Sequence, residues 1–152
     1  MKLAYYPGCS GQGTSAEYER STRAVCRALE IGLKEISDWS CCGSTPAPAC
    51  DHVPSSALSA RNLALAAAKG AERVGTPCPS CLANLKTAKP RMQDEALRSK
   101  VNALLDSPCP EELPATVSIP PVLVEDSGIG ATAENVTNPL ERHKVGRYYG
   151  CL

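Results

Sequence analysis

Phenylalanine is absent from this chain and tryptophan occurs once, at Trp39. Aromatic packing therefore cannot supply most of a core, which must be built from Leu, Val, Ile and Ala with help from five tyrosines. Such small and branched side chains suit close packing of helices on a sheet. An excess of charge of either sign is also lacking, since 16 Lys plus Arg stand against 16 Asp plus Glu. Without a basic field, nucleic acid and anionic lipid are poor partners. No long hydrophobic run opens the chain: in MKLAYYPGCS only a few apolar residues separate Lys2 from Pro7-Gly8. That is far short of a signal-peptide core or a membrane span, so the expected location is the cytoplasm. With 152 residues there is room for one well-cored domain, which needs no disulfides to fold.

Cysteine, by contrast, occurs nine times. In a reducing compartment a disulfide framework is disfavoured, and an odd count points the same way, so metal or redox chemistry becomes the leading class.

The opening KLAYY reads as a strand ended by Pro7-Gly8, with Cys9 just beyond it. Thr14 and Glu17 fit a capping box for a helix whose apolar stripe is Tyr18, Thr22, Val25 and Leu29, stopped at Gly32. LKEISDW reads as a second strand that delivers Cys41 and Cys42. The three prolines of GSTPAPACDHVPSS predict an irregular loop, after which Ser55 or Ser56 caps an alanine-rich helix running to Gly70. AERVGTP holds a third strand, and CPSC follows with Pro79 in the first turn of another helix. A helix over DEALRSKVNALL then precedes SPCPEELPATVSIPP, which reads as a boundary or linker.

Strands alternating with helices predict an α/β fold: a small parallel sheet with flanking helices, whose sites form at the carboxyl ends of the strands. Cys9, the Cys41-Cys42 pair and the Cys78/Cys81 pair all fall at such ends. The closing KVGRYYGCL repeats the opening KLAYYPGCS, with Cys151 set against Cys9. The predicted organisation is a cysteine-rich domain over 1–107, a proline-rich connection over 108–143, and the first strand of a second copy over 144–152.

The spacing can be weighed against known sites. Cys9 is followed by 31 residues, the adjacent pair, 35 more residues, and then C-x-x-C. A zinc ribbon uses paired C-x-x-C hairpins and four ligands, so zinc would leave one thiol over. Adjacent ligands suit two different irons of a cluster better than one ion, and soft sulfur donors favour iron-sulfur chemistry. A thioredoxin-like reading of CPSC, with Cys78 as nucleophile, uses only two of the five.

The arrangement C-x31-CC-x35-C-x2-C, with YYPGC, WSCCG, SARNLALA and CPSCLANLK around it, resembles the cysteine-rich CCG domain of the B-type subunits of heterodisulfide reductase and their relatives. The likeness is strong over residues 1 to about 105. It implies a noncubane [4Fe-4S] cluster held by Cys9, Cys41, Cys42, Cys78 and Cys81, with Cys151 as first ligand of a second cluster in a longer chain. It further implies reduction of the mixed disulfide of coenzyme M and coenzyme B, one electron per cluster, with ferredoxin-like and flavin-containing subunits as partners. The same module also occurs in fumarate-, quinone- and 2-hydroxyacid-linked oxidoreductases, where it serves in electron transfer. A non-enzymatic zinc-binding module is the alternative from another class.

Cys26 reads as a buried inert thiol, while Cys50 and Cys109 read as loop residues outside the ligand set. His52 and His143 are solvated rather than proton donors, and Arg61 and Lys86 are surface charges. Trp39 is expected to pack under the loop that carries the pair.

Overall fold

The computed structural model describes residues 1–44 and 46–146. Four short strands, β1 (Lys2–Tyr5), β2 (Gly32–Glu35), β3 (Arg73–Thr76) and β4 (Ala115–Ser118), form one sheet in the order β2-β1-β3-β4. Every pairing is parallel, so the expected α/β architecture holds. Parallel neighbours need crossovers, and helices supply them. Helix α1 (Ala16–Ala28) joins β1 to β2, α2 (Pro46–Cys50) and α3 (His52–Ala67) join β2 to β3, and α4 (Pro79–Arg91) and α5 (Glu95–Asn102) join β3 to β4. Beyond β4 lie α6 (Ile119–Pro121), a π-helical turn over Val122–Asp126, and α7 (Ile129–Glu134).

Alternation along β1 divides the core between the two faces of the sheet. Leu3 and Tyr5 pack with Cys26, Ile31, Ile119 and Val122. Tyr6, of opposite parity to Tyr5, packs with Ala60, Leu63, Val74, Leu85 and Val101. Both tyrosines are fully buried, and they fill the space that phenylalanine would occupy in another chain. Helix α3 buries Ser55, Ser56, Ala57, Ser59, Ala60 and Ala66, small residues that let it lie close to the sheet.

The chain leaves β1 toward β2 and then crosses β1 to reach β3. Strand order thus reverses between β1 and β3, the point of a parallel sheet beyond whose carboxyl ends sites form. Cys9 and Cys78 stand in the loops after those two strands.

Several local expectations are corrected. The buried face of α1 is Glu19, Thr22 and Cys26, while Tyr18 and Val25 are exposed. Glu19 is drawn inward by the Tyr5 hydroxyl and by Arg23, and these polar contacts override the apolar period. Helix α1 begins after Ser15 with no side-chain cap, in place of the Thr14 capping box. The left-handed residue after it is Glu30, at φ 56, while Gly32 pairs with Lys2 as the first residue of β2. Residues 46–50 and 52–54 are helical despite their prolines, because Pro46, Pro48 and Pro54 fall in the first turns of α2 and α3, where a backbone N–H has no helical partner to lose. Asp51, accepting from the Val53 N–H at 2.8 Å, caps α3 instead of a serine. The passage expected to be a linker contributes β4, which pairs with β3 from Arg73↔Ala115 to Thr76↔Ser118. Of the strand expected over 144–152, Tyr148, Gly150 and Cys151 lie outside the described residues.

Candidate functional site

Cys9 begins a 3-10 turn, Cys9–Gln12, directly after the β1 exit. Gly8 makes that exit possible, with φ 74 and ψ 159, a combination open almost only to glycine. A Cβ there would stand 2.9 Å from Cys81 Sγ.

The loop after β2 carries Cys41 and Cys42 and is fastened along its length. The Tyr6 hydroxyl donates to the Ser40 carbonyl at 2.7 Å. Fully buried Asn62 grips the same residue twice, accepting the Ser40 N–H at 2.8 Å and donating to its carbonyl at 2.9 Å. The Cys42 carbonyl accepts from the Ser59 hydroxyl at 3.1 Å and from the Asn84 amide at 3.0 Å. Trp39 meets Tyr6 edge-on, with ring centroids 5.3 Å apart, and its indole N–H donates to Glu35 at 3.0 Å. Cys78 precedes α4, and Cys81 lies in the first turn of that helix.

These elements bring the five expected thiols into two touching groups. Outermost are Cys9 and Cys41, both exposed, with sulfurs 3.9 Å apart. Further in, buried Cys42 and Cys81 share a hydrogen bond at 3.3 Å, and half-buried Cys78 bonds to Cys81. Tyr6 lies close enough to feel Cys42, Cys81, Cys41 and Cys9; burial first, and then these four, push its hydroxyl well above the usual range. The outer pair opens on a recess of about 570 Å³ that it shares with Gln12, Glu35, Asp38 and Trp39. No Lys, Arg or His lines this recess among the described residues.

The thiols differ in acidity. A hydrogen bond from Cys81, helped by the Cys81 N–H, Ser10 and the Ser80 N–H, outweighs burial and brings Cys78 down to about 5. Contact with the Cys81 sulfur, with help from the Ser44 N–H, outweighs burial and moves Cys42 downward too. Cys81 itself is pushed far up by Cys42 and then Cys78. At Cys41 the Gly43 N–H, 3.4 Å from the sulfur, favours the thiolate, but burial and Cys9 together turn the net shift upward.

The donor set is purely thiol, which suits a thiophilic metal. Two thiolates on one tetrahedral ion with bonds of about 2.3 Å stand ~3.8 Å apart, close to the Cys9–Cys41 separation of 3.9 Å. Cys42 and Cys81 are closer than that, and among the described residues no three His, Cys, Asp or Glu side chains are grouped to hold a metal ion. Among the described residues the buried hydroxyls of Ser40, Ser56, Thr76 and Thr116 have no hydrogen-bond partner.

The remaining candidates stand apart. Cys26 is buried in the core on the α1 face. Cys109 lies in a loop, as expected, and is buried there with its N–H on Asn102. Cys50, His52, Lys86 and His143 are exposed. Arg61 turns to Asp38 at 2.6 Å. Sequence reasoning missed Tyr6, Glu35, Ser59, Asn62 and Asn84 as supports of the site. Asn62 left a signal, as a polar residue inside the apolar run of SARNLALA.

Residues 3–86 match the CCG family, described as a cysteine-rich domain, and all five thiols lie within that span. The chain belongs to the CCG family. This CCG chain is 32% identical over 152 residues to the 8-methylmenaquinol:fumarate reductase membrane anchor subunit of Wolinella succinogenes, covering 99% of this chain and 52% of that protein. It is 34% identical over 107 residues to a heterodisulfide reductase B-like protein of Archaeoglobus profundus, covering 69% of this chain and 36% of the relative. The chain thus spans about half or less of the length of these curated relatives. Both are named for reductase complexes, so the CCG family here is one of oxidoreductase-related subunits. A crystal structure of a hypothetical protein from Helicobacter pylori shares the fold, with a TM-score of 0.64 and 16% identity over 82% of this chain and 25% of its own. No helix among the described residues is long and apolar enough to cross a membrane.

Proposed function

We propose that Cys9, Cys41, Cys42, Cys78 and Cys81 hold a noncubane [4Fe-4S] cluster and that the chain passes electrons as a subunit of a multi-subunit oxidoreductase. The observation that carries this reading is the gathering of five thiols, from three strand exits, into two touching groups. When bound, the cluster supplies one-electron steps. The chain's own residues prepare for it. Cys78 and Cys42 are the readiest to exist as thiolates, the form that binds metal, while Cys81 gives up its proton last. The Gly43 N–H, directed at Cys41 Sγ, favours negative charge on that sulfur. Tyr6 and Trp39 keep water from the inner thiols.

Two reactions fit such a module. Reduction of the mixed disulfide of coenzyme M and coenzyme B, with ferredoxin-like and flavin-containing subunits as partners, is supported by the likeness to the Archaeoglobus profundus protein. Electron transfer in a fumarate- or quinol-linked complex is supported by the Wolinella succinogenes relative, which aligns with nearly the whole chain. The second reading has the broader support, since that likeness covers 99% of this chain against 69% for the other. Iron and acid-labile sulfide measured after anaerobic purification test the cluster. About one zinc per chain and no sulfide would sink it.

A further inference from the structure

Trp39 is held from two sides, and only one of them is apolar packing. Its ring meets Tyr6, and its indole N–H is bound by Glu35 at 3.0 Å. Glu35 is not free to wander, because its other carboxylate oxygen is taken by Arg23. Arg23 is anchored in turn: its Nε donates to buried Glu19, its guanidinium lies 4.8 Å over the Tyr5 ring, and the Tyr5 hydroxyl closes the chain on Glu19. A continuous polar strut therefore runs from inside the α1 face, round the edge of the sheet at β2, to the tryptophan two residues before Cys41.

We propose that Glu35 is a positioning residue for the Cys41-Cys42 pair: through the Trp39 indole it seats the loop against Tyr6 and so sets Cys41 opposite Cys9. Glu35 also lines the recess onto which Cys9 and Cys41 open, so the carboxylate that orients the loop forms part of the wall by which a reaction partner reaches the outer thiols. The inference rests on the functional reading only for why the pair matters. Its test needs no bound iron, and so it can fail while the cluster reading stands.

Trp39 is the sole tryptophan of the chain, so intrinsic fluorescence reports this one ring. The full chain, metal-free and reduced, is compared with Glu35→Ala, Glu35→Gln and Trp39→Phe. Loss of one hydrogen bond should raise the unseated population about fivefold. In Glu35→Ala the emission should shift to the red and acrylamide quenching should increase, while Glu35→Gln, which keeps an acceptor for the indole, should restore most of the wild-type signal. Diamide, which removes two electrons and two protons from a thiol pair as the S–S bond forms, measures how well Cys9 faces Cys41. Cross-linking of that pair, mapped by peptide analysis, should slow in Glu35→Ala and in Trp39→Phe by up to about fivefold, and no further in the double variant. Thermal melting and the protection of buried Cys26 from alkylation control for general loosening. Should Glu35→Ala prove unfoldable, Trp39→Phe, read by cross-linking, carries the comparison, and an unchanged rate there overturns the proposal. Unchanged quenching in Glu35→Ala, or cross-linking losses that add in the double variant, would overturn the proposal.

Discussion

Replacing Gly8 by alanine should damage both the fold and the site, and the structure gives the size of the effect. The backbone there sits at φ 74 and ψ 159, which costs a residue with a Cβ about 1–3 kcal/mol. The new methyl would lie 2.9 Å from Cys81 Sγ, 3.7 Å from the Tyr6 ring and 3.9 Å from Cys78 Cβ. Cys81 cannot step aside freely, because its sulfur is engaged by Cys42 and Cys78, so overpacking adds about 1–3 kcal/mol. Together these come to about 4 kcal/mol, or a fall in Tm of roughly 8–16 °C for a chain of this size. Gly70→Ala is the matched control, since Gly70 has φ 73 but nothing within 4 Å of its would-be Cβ. It bears only the conformational cost, about 1–2 kcal/mol. Calorimetry on the reduced, metal-free variants, followed by anaerobic loading with iron and sulfide, gives both numbers. Gly8→Ala should melt well below Gly70→Ala and load poorly. If the two melt together and Gly8→Ala loads like the parent, the crowding at Cys81 is not what reserves this position for glycine.

Cys42→Ser should lose most of its iron, whereas Cys26→Ser, on the opposite face, should keep its iron but lose about 1–3 kcal/mol in denaturant melts for its buried hydroxyl. In the metal-free chain Cys78, held at about 5, should react with iodoacetamide at pH 6, while Cys26, pushed up by burial, stays silent; equal rates would contradict the assignment. The sign for stability follows from the downward shift: ionised Cys78 favours the folded chain fully above its ordinary value of 9, and that contribution is lost as the pH falls through about 5. Asn62→Ala strips Ser40 of both its bonds to the buried amide and should cost about 2–4 kcal/mol by chemical denaturation.

Much of this design can be read along the chain. Alternation in KLAYY, the turn at Pro7-Gly8 and Pro79 at a helix start place three strand exits, and with them five cysteines, because local turn chemistry and period decide those features. What escaped depends on contacts between distant segments. The phase of α1 is decided by Glu19 meeting Tyr5 and Arg23: of the expected stripe Thr22 and Leu29 face the core, whereas Tyr18 and Val25 are turned out. Strand β4 was hidden among prolines because its partner is β3, which gives Ala115–Ser118 a ladder that its own composition does not announce. The supports of the pair, Asn62, Asn84 and Ser59, are polar groups whose purpose appears only once the loop folds onto α3 and α4. WSCCGS shows the two levels side by side: the adjacent thiols were legible as unusual, but not that Trp39 would be tied back to Glu35.

The central claim is most directly tested by counting iron and acid-labile sulfide in the anaerobically purified chain and in its Cys42→Ser variant, with the low-temperature paramagnetic spectrum of the reduced protein recorded alongside. The account predicts several irons with matching sulfide in the parent, a cluster spectrum on reduction, and loss of both in the variant. A single zinc without sulfide, or an iron content and spectrum untouched by Cys42→Ser, would contradict it.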